Sequence, residues 1–176
     1  VVALATTTRV DWPHPDALAA ALRDRGLGTL LVCLLTDRER RVPHAGFDVS
    51  LLTDRLTATA EWVRGREETA GLPLCCVGSS TAAAAVLSAA ARLGDDVAAI
   101  VSWGGRTDLA TGSLSGVRAP TLFVVYRPGA ASADLVRTAR ARLPGPAEIL
   151  AADGTDSGVT EAPVDRTAPW VATRLS

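Results

Sequence analysis

The segment with the clearest chemical potential is Gly78-Ser79-Ser80-Thr81-Ala82, which joins an apolar run to an alanine-rich stretch. This order matches the nucleophile elbow G-x-S-x-G, with alanine in place of the last glycine. In such an elbow the serine lies on a sharp strand-to-helix turn, so its hydroxyl is exposed above the sheet and the next backbone N–H faces the reacting oxygen. Ser80 is therefore the candidate nucleophile, and the amide of Thr81 is the candidate oxyanion donor.

A serine hydroxyl is a weak nucleophile until a base takes its proton, and that base needs a third group to orient it. The histidines of the chain are His14 and His44, each in a loop that follows a predicted strand. We predict His44 as the candidate base and group His14 with the candidate substrate-binding residues. The alternative is that both are solvated loop histidines. Distance decides, since a base must come within about 3 Å of the proton or act through one water.

Two carboxylates follow the last predicted strand, in the sequence Asp153-Gly154-Thr155-Asp156. Asp156 is a candidate general base if burial raises its pKa, and Asp153 is a candidate substrate contact. Asp-Gly is also common turn chemistry, and a plain turn is the simpler interpretation of this loop.

Bulky side chains stand at two predicted strand ends that border the elbow, namely Trp103, Tyr126 and the adjacent Arg127. Together they are candidates for an apolar cleft with a fixed cation that holds a carboxylate or a polarised carbonyl. Trp12, in the first predicted loop, is a further candidate for this cleft. The alternative is that these side chains cap the sheet.

Strand-sized apolar runs alternate with amphipathic segments along the chain. The predicted strands are 1–5, 29–35, 74–77, 97–103, 120–126 and 148–152, and the predicted helices are 15–25, 47–67, 81–93, 133–143 and 166–175. Nearly continuous apolar strands separated by helices favour an α/β protein whose parallel sheet is covered on both faces. Ligands in this architecture bind beyond the carboxyl ends of the strands, where the candidate residues fall.

Composition excludes several classes of function. The 176 residues carry a net charge of −1, which does not favour a nucleic-acid surface, and the apolar runs are too short to cross a membrane. We expect one domain over residues 1–176, a small-molecule ligand, no cofactor, no metal and a cytoplasmic location, with the oligomeric state left open. Cys33, Cys75 and Cys76 are predicted to be reduced and buried in strands. The chain starts at Val1 inside a predicted strand, so further N-terminal sequence is expected to precede it.

Four segments carry a family resemblance beyond the elbow. They are Gly26-Leu27-Gly28-Thr29-Leu30-Leu31-Val32, Thr69-Ala70-Gly71-Leu72-Pro73, Ser102-Trp103-Gly104-Gly105-Arg106-Thr107-Asp108-Leu109 and Arg118-Ala119-Pro120-Thr121-Leu122. With these segments, residues 1–175 resemble the α/β-hydrolases, and more narrowly their small dienelactone-hydrolase-like members. The resemblance implies an α/β-hydrolase fold with a core of about six parallel strands and the elbow after the third of them.

The same resemblance exposes three departures from the family. Ala5-Thr6-Thr7-Thr8 replaces the His-Gly-rich loop that donates an oxyanion-hole amide, and we take Thr6 from it as a candidate substrate contact. Gly129 occupies the place of the triad acid. Asp156 most nearly matches the histidine, and the chain has no histidine after His44. A conventional Ser-His-Asp hydrolase is therefore not expected.

Three hypotheses about function follow. The favoured one is a scaffold turned to non-hydrolytic chemistry, such as cyclisation, isomerisation or epimerisation of a small biosynthetic intermediate. The second is an esterase or lactonase with Ser80 as nucleophile and His44 or His14 as a displaced base. The third is a non-catalytic binding module, in which Ser80 persists because a small residue suits the tight turn.

Overall fold

The strands form one parallel sheet. The structure is a computed structural model that describes residues 1–7, 15–126, 131–152 and 162–176. Its strands are β1 (Val2–Thr6), β2 (Thr29–Cys33), β3 (Cys75–Ser79), β4 (Ala99–Trp103), β5 (Thr121–Tyr126) and β6 (Ala147–Ala152). They lie in the order β2-β1-β3-β4-β5-β6, and every neighbouring pair is parallel. The predicted fold class, a parallel sheet of six strands with the elbow after the third, is confirmed.

Helices cover both faces of this sheet. They are α1 (Pro15–Arg23), α2 (Val49–Arg64), α3 (Thr81–Leu93), α4 (Ala131–Arg140) and α5 (Ala162–Leu175). On one face α1 and α5 bury residues such as Leu18 and Val171, and on the other face α2, α3 and α4 bury residues such as Leu56 and Val86. Successive side chains of each strand point alternately into one and the other of these two apolar layers, because the side chains of a strand alternate between its faces.

The contact between β3 and α3 depends on small residues. A Cβ at Gly78 would lie 2.6 Å from the carbonyl oxygen of Ala82 and 2.7 Å from Cγ2 of Val86. Glycine at this position therefore lets α3 begin in direct contact with β3, the strand that precedes it. The alanines of α3 are buried almost throughout, which fits a helix packed between the sheet and α2. This close approach fixes the position of the turn between them.

The prediction that Cys33 is buried is wrong. Cys75 and Cys76 are buried, whereas Cys33 is exposed. The reason is the place of β2 at the edge of the sheet, since an edge strand has a neighbour on one side only. No helix in the part of the chain that the structure describes is long and apolar enough to cross a membrane.

Candidate functional site

The turn between β3 and α3 is a strained elbow at Ser80. Ser80 has φ 51° and ψ −126°, and apart from His44 it is the one non-glycine residue with positive φ among the described residues. Its backbone is held from two directions. Its N–H donates to the carbonyl of Trp103 at 3.3 Å, and its carbonyl accepts from the N–H of Arg106 at 3.1 Å. Such a conformation costs about 1–3 kcal/mol and persists only where the surrounding structure imposes it, which is typical of functional sites.

The elbow presents polar groups of the right kind for carbonyl chemistry. The half-buried Ser80 caps α3 without a side-chain hydrogen bond to the helix. The first amides of a helix have no acceptor within the helix, and the helix dipole favours negative charge at that end. The N–H of Thr81 is therefore suited to stabilise an oxyanion, as the sequence predicts.

A cleft of about 370 Å³ opens over this elbow. Its floor contains Thr7, Ser80 and Thr81, and most of its wall comes from residues 36–48, which precede α2 and are here called the 36–48 loop. The residues of that wall are Leu35, Glu39, Arg40, Val42, Pro43, His44, Gly46 and Phe47. Three predicted site residues, Ser80, Thr81 and His44, thus line one cleft.

His44 has an unusual backbone in this wall. Its φ of 66° and ψ of 0° place it in the left-handed region, just before a short 3₁₀ turn at Ala45–Phe47. The imidazole lies 6.4 Å from the ring of Phe47, centroid to centroid. Histidine occupies the left-handed region more readily than branched or bulky residues do. The turn therefore holds the imidazole on the wall of the cleft that contains Ser80.

The one carboxylate among the described lining residues, Glu39, is committed to other partners. Both of its oxygens accept from the Arg55 guanidinium at 2.7 Å, and it also accepts from the N–H and hydroxyl of Thr36. The Arg55 and Thr36 hydrogen bonds hold the pKa of Glu39 far below its usual range. A carboxylate bound in this way is a poor proton acceptor and does not orient His44.

Arg40, the cation in the described lining, is also engaged. Its guanidinium forms an ion pair with Asp37 and donates to the carbonyl of Leu35 at 3.2 Å. It also donates to the Cys33 sulfur at 3.1 Å. The permanent charges of this wall are therefore balanced within the 36–48 loop and its neighbours.

The structure places Trp103 and Tyr126 elsewhere. Both are buried, the indole N–H of Trp103 donates to the Tyr126 hydroxyl, and both belong to the apolar layer under α1 and α5. Neither is among the described residues that line the cleft over Ser80. Whether they border a substrate site stays a prediction.

Thr6, the predicted substrate contact, does not line the elbow cleft, whereas its neighbour Thr7 does. Thr6 lines a separate pocket of about 220 Å³ beside α1, together with Leu31 and Cys33, whereas Thr7 lines the elbow cleft. Successive residues of a strand point to opposite faces, so a shift of one residue changes the site that a side chain reaches. The other predicted site residues, Trp12, His14, Arg127, Asp153 and Asp156, lie outside the described residues.

Sequence reasoning missed most of the wall. The sequence patterns did not assign Glu39, Val42 or Phe47 to the site. The pairing of Glu39 with Arg55 joins residues 16 positions apart, so no local pattern in the sequence announces it. Within the described residues, no cluster of three or more histidine, cysteine or acidic side chains could hold a metal ion.

The sheet order and the elbow define the class of this protein, which has the α/β-hydrolase fold. A dienelactone hydrolase-like promiscuous phosphotriesterase from metagenomic libraries has a TM-score of 0.73 at 15% identity, over 99% of this chain and 85% of that one. The 2,6-dihydroxy-pseudo-oxynicotine hydrolase has a TM-score of 0.75 at 16% identity, over 99% of this chain and 60% of that one. At these identities the likeness concerns the fold alone.

The dienelactone hydrolase of Anabaena variabilis is more similar. It is 30% identical with a TM-score of 0.90, over 99% of this chain and 86% of that one. The chain therefore belongs to the dienelactone hydrolase family. No protein-family model matches the sequence.

Two curated relatives carry a different name. Candidate phosphoribosyl transferases from two strains of Mycobacterium tuberculosis are 40% identical over 137 residues, which is 78% of this chain. The match covers 31% of those proteins, so this chain spans about a third of their length.

Proposed function

We propose that this protein rearranges a small carbonyl compound, by cyclisation, isomerisation or epimerisation of a biosynthetic intermediate, without hydrolysing it. One observation carries the proposal. Ser80, Thr81 and His44 line one cleft, while Glu39, the carboxylate of the described lining, is bound by Arg55. A hydrolytic serine needs a base with an orienting acid, whereas proton transfer next to a carbonyl needs a base and an oxyanion donor.

The chemistry uses few groups. The substrate carbonyl accepts a hydrogen bond from the Thr81 N–H, and His44 takes a proton from the carbon next to that carbonyl. The electron pair of the broken C–H bond moves into an enolate, whose negative oxygen lies at the amino end of α3. His44 then returns the proton to a neighbouring atom, which gives isomerisation, or to the other face of the same carbon after the enolate has turned over in the cleft, which gives epimerisation. Ser80 hydrogen-bonds the substrate and forms no covalent intermediate.

Solvent deuterium tests this proposal directly. In D₂O, a lactone with a hydrogen next to its carbonyl should gain deuterium at that carbon without gaining water, as followed by mass spectrometry. His44→Gln should slow the exchange by about 10²–10⁴-fold, the usual contribution of a general base. Ser80→Ala should retain most of it.

The other histidine, His14, is the second candidate base, and His14→Gln tests it. Because His44 lines the cleft over Ser80, His14→Gln should slow the exchange less than His44→Gln does. Exchange that survives His44→Gln but disappears in His14→Gln would overturn the assignment of the base. A product that gains water would overturn the non-hydrolytic proposal.

Ester or lactone hydrolysis is the second candidate, because His44 lines the same cleft as Ser80. In this candidate the Ser80 oxygen attacks the carbonyl, His44 takes its proton, and water later releases the acyl group. Rapid hydrolysis of p-nitrophenyl acetate that Ser80→Ala abolishes would favour it over the first proposal. The name of the mycobacterial relatives does not favour a transferase activity here, because the match covers 31% of those proteins and the name does not say which part carries the activity.

A further inference from the structure

We propose that the cleft over Ser80 selects an uncharged carbonyl compound with an apolar tail, and that the tail packs on Val42 and Phe47. This inference rests on the proposed function, because it takes the same cleft as the substrate site. It adds the class of substrate, which the elbow itself does not specify.

Two exposed apolar side chains stand on the wall of the cleft. Val42 is 54% and Phe47 57% exposed, and they are two of the seven large apolar side chains that the described surface exposes. Both belong to the 36–48 loop and both line the cleft. Leu35 and Pro43 extend the same wall. Exposed apolar side chains that converge on a concave surface are typical of ligand sites, and covering them with a ligand is favourable.

The charged side chains of the described wall are paired with protein partners. Glu39 is neutralised by Arg55, and Arg40 by Asp37, both through contacts within this region. A charged substrate group would have to displace a protein partner before either residue could bind it. The described wall therefore offers apolar surface and balanced charge, which suits a neutral molecule.

The geometry also sets the direction of the substrate. Ser80 and Thr81 form the floor with Thr7, and the exposed apolar residues stand on the 36–48 loop. A carbonyl at the amino end of α3 places the rest of the molecule toward that loop. A cleft of about 370 Å³ has room for a small ring with a short alkyl tail.

A series of γ-lactones with alkyl tails from methyl to hexyl tests the inference by isothermal titration calorimetry. The Kd should fall with each added methylene, by up to about fourfold where the methylene is fully buried. Phe47→Ala and Val42→Ala should each flatten this dependence, and Phe47→Leu should retain most of it.

Leu72→Ala is the matched control. Leu72 is 50% exposed and precedes β3, so it lies at the amino-terminal end of the strand whose other end carries the elbow. This variant should therefore keep the wild-type dependence of Kd on tail length. Affinity that does not change with tail length would overturn the inference, and so would tighter binding of alkanoates with the same tails. Tail-dependent binding without turnover would support the apolar-tailed substrate class and count against the proposed rearrangement. Turnover without tail dependence would support the rearrangement and count against the substrate class.

Discussion

Single residues hold this site in place, and Gly78 shows how. Any side chain there would meet both the backbone of Ala82 and the side chain of Val86, so the elbow forms only because a glycine lets α3 approach β3. The strain at Ser80 is maintained by this contact and by its hydrogen bonds to Trp103 and Arg106. At this scale the site depends on close packing more than on charge.

Gly78→Ala should lower the free energy of unfolding by about 1–3 kcal/mol, because a methyl group is forced into a filled space. Urea denaturation measures the change. Gly112→Ala is the control, since a Cβ at Gly112 meets nothing within 4 Å. Equal stability of the two variants would contradict the packing argument.

At the level of single residues, the sequence predicted the turn itself but not which neighbouring side chains face the cleft. The elbow motif placed Ser80 and Thr81 correctly on the turn, because its glycine and serine spacing reflects local backbone geometry. The expectation for Thr6 missed the neighbouring Thr7, since an alternating strand pattern does not say which face will meet the cleft. Whether Asp156 or Trp12 belongs to the site stays a prediction.

The 36–48 loop is the element that shapes the cleft, and α2 anchors it. Asp48 caps α2 by accepting from the N–H of Leu51 at 3.0 Å, and Arg55 on the same helix binds Glu39. Arg55 also donates to the Leu34 carbonyl at 2.7 Å, which ties the start of the loop to the helix. The loop is therefore fixed to α2 near both of its ends.

Stability should depend on pH through Glu39. Its pKa is lower in the folded protein than in the unfolded chain, so its contribution is complete above the unfolded value of about 4.3 and is lost as pH falls below it. Glu39→Gln should therefore destabilise the protein near neutral pH, and the difference from wild type should shrink below that value. Denaturation curves over a pH series measure this.

Glu68→Gln is the control for that experiment. Glu68 lies 3.4 Å from the Arg66 guanidinium, and both side chains are largely exposed, so the variant should change stability little. If the difference in free energy of unfolding between Glu39→Gln and wild type grew as pH fell, the lowered pKa of Glu39 would not be the source of its contribution to stability.

The positions of the helices and strands were largely predictable from the sequence, whereas their contacts with one another were not. Every strand and α-helix of the described residues was predicted, and the predicted bounds of α3 match the observed ones, because strand-sized apolar runs and amphipathic periodicity are local properties. The exposure of β2 depends on how many strands lie beside it, which the pattern of Leu30, Leu31 and Val32 does not contain. The wall formed by the 36–48 loop depends on contacts with α2 in the same way.

Across the whole molecule, the order of the strands leaves two cysteines buried and one exposed. Burial raises the pKa of the Cys76 thiol to about 12, and it also raises that of Cys75 well above its usual range. Cys33 lies on the edge strand and is exposed. One thiol should therefore be reactive in the folded protein.

Titration with a disulfide reagent near neutral pH should modify one thiol in the native protein and all three after denaturation. Cys33→Ser should remove the native reaction. Rapid modification of two or three thiols in the folded protein would contradict the place of β3 in the middle of the sheet.

We propose that this member of the dienelactone hydrolase family keeps the elbow without using Ser80 as a hydrolytic nucleophile. Intact-mass spectrometry of the folded protein after incubation with a fluorophosphonate measures that property of Ser80 directly. We expect no stable adduct on the native protein. A stoichiometric adduct that maps to Ser80 and is lost in Ser80→Ala would contradict it.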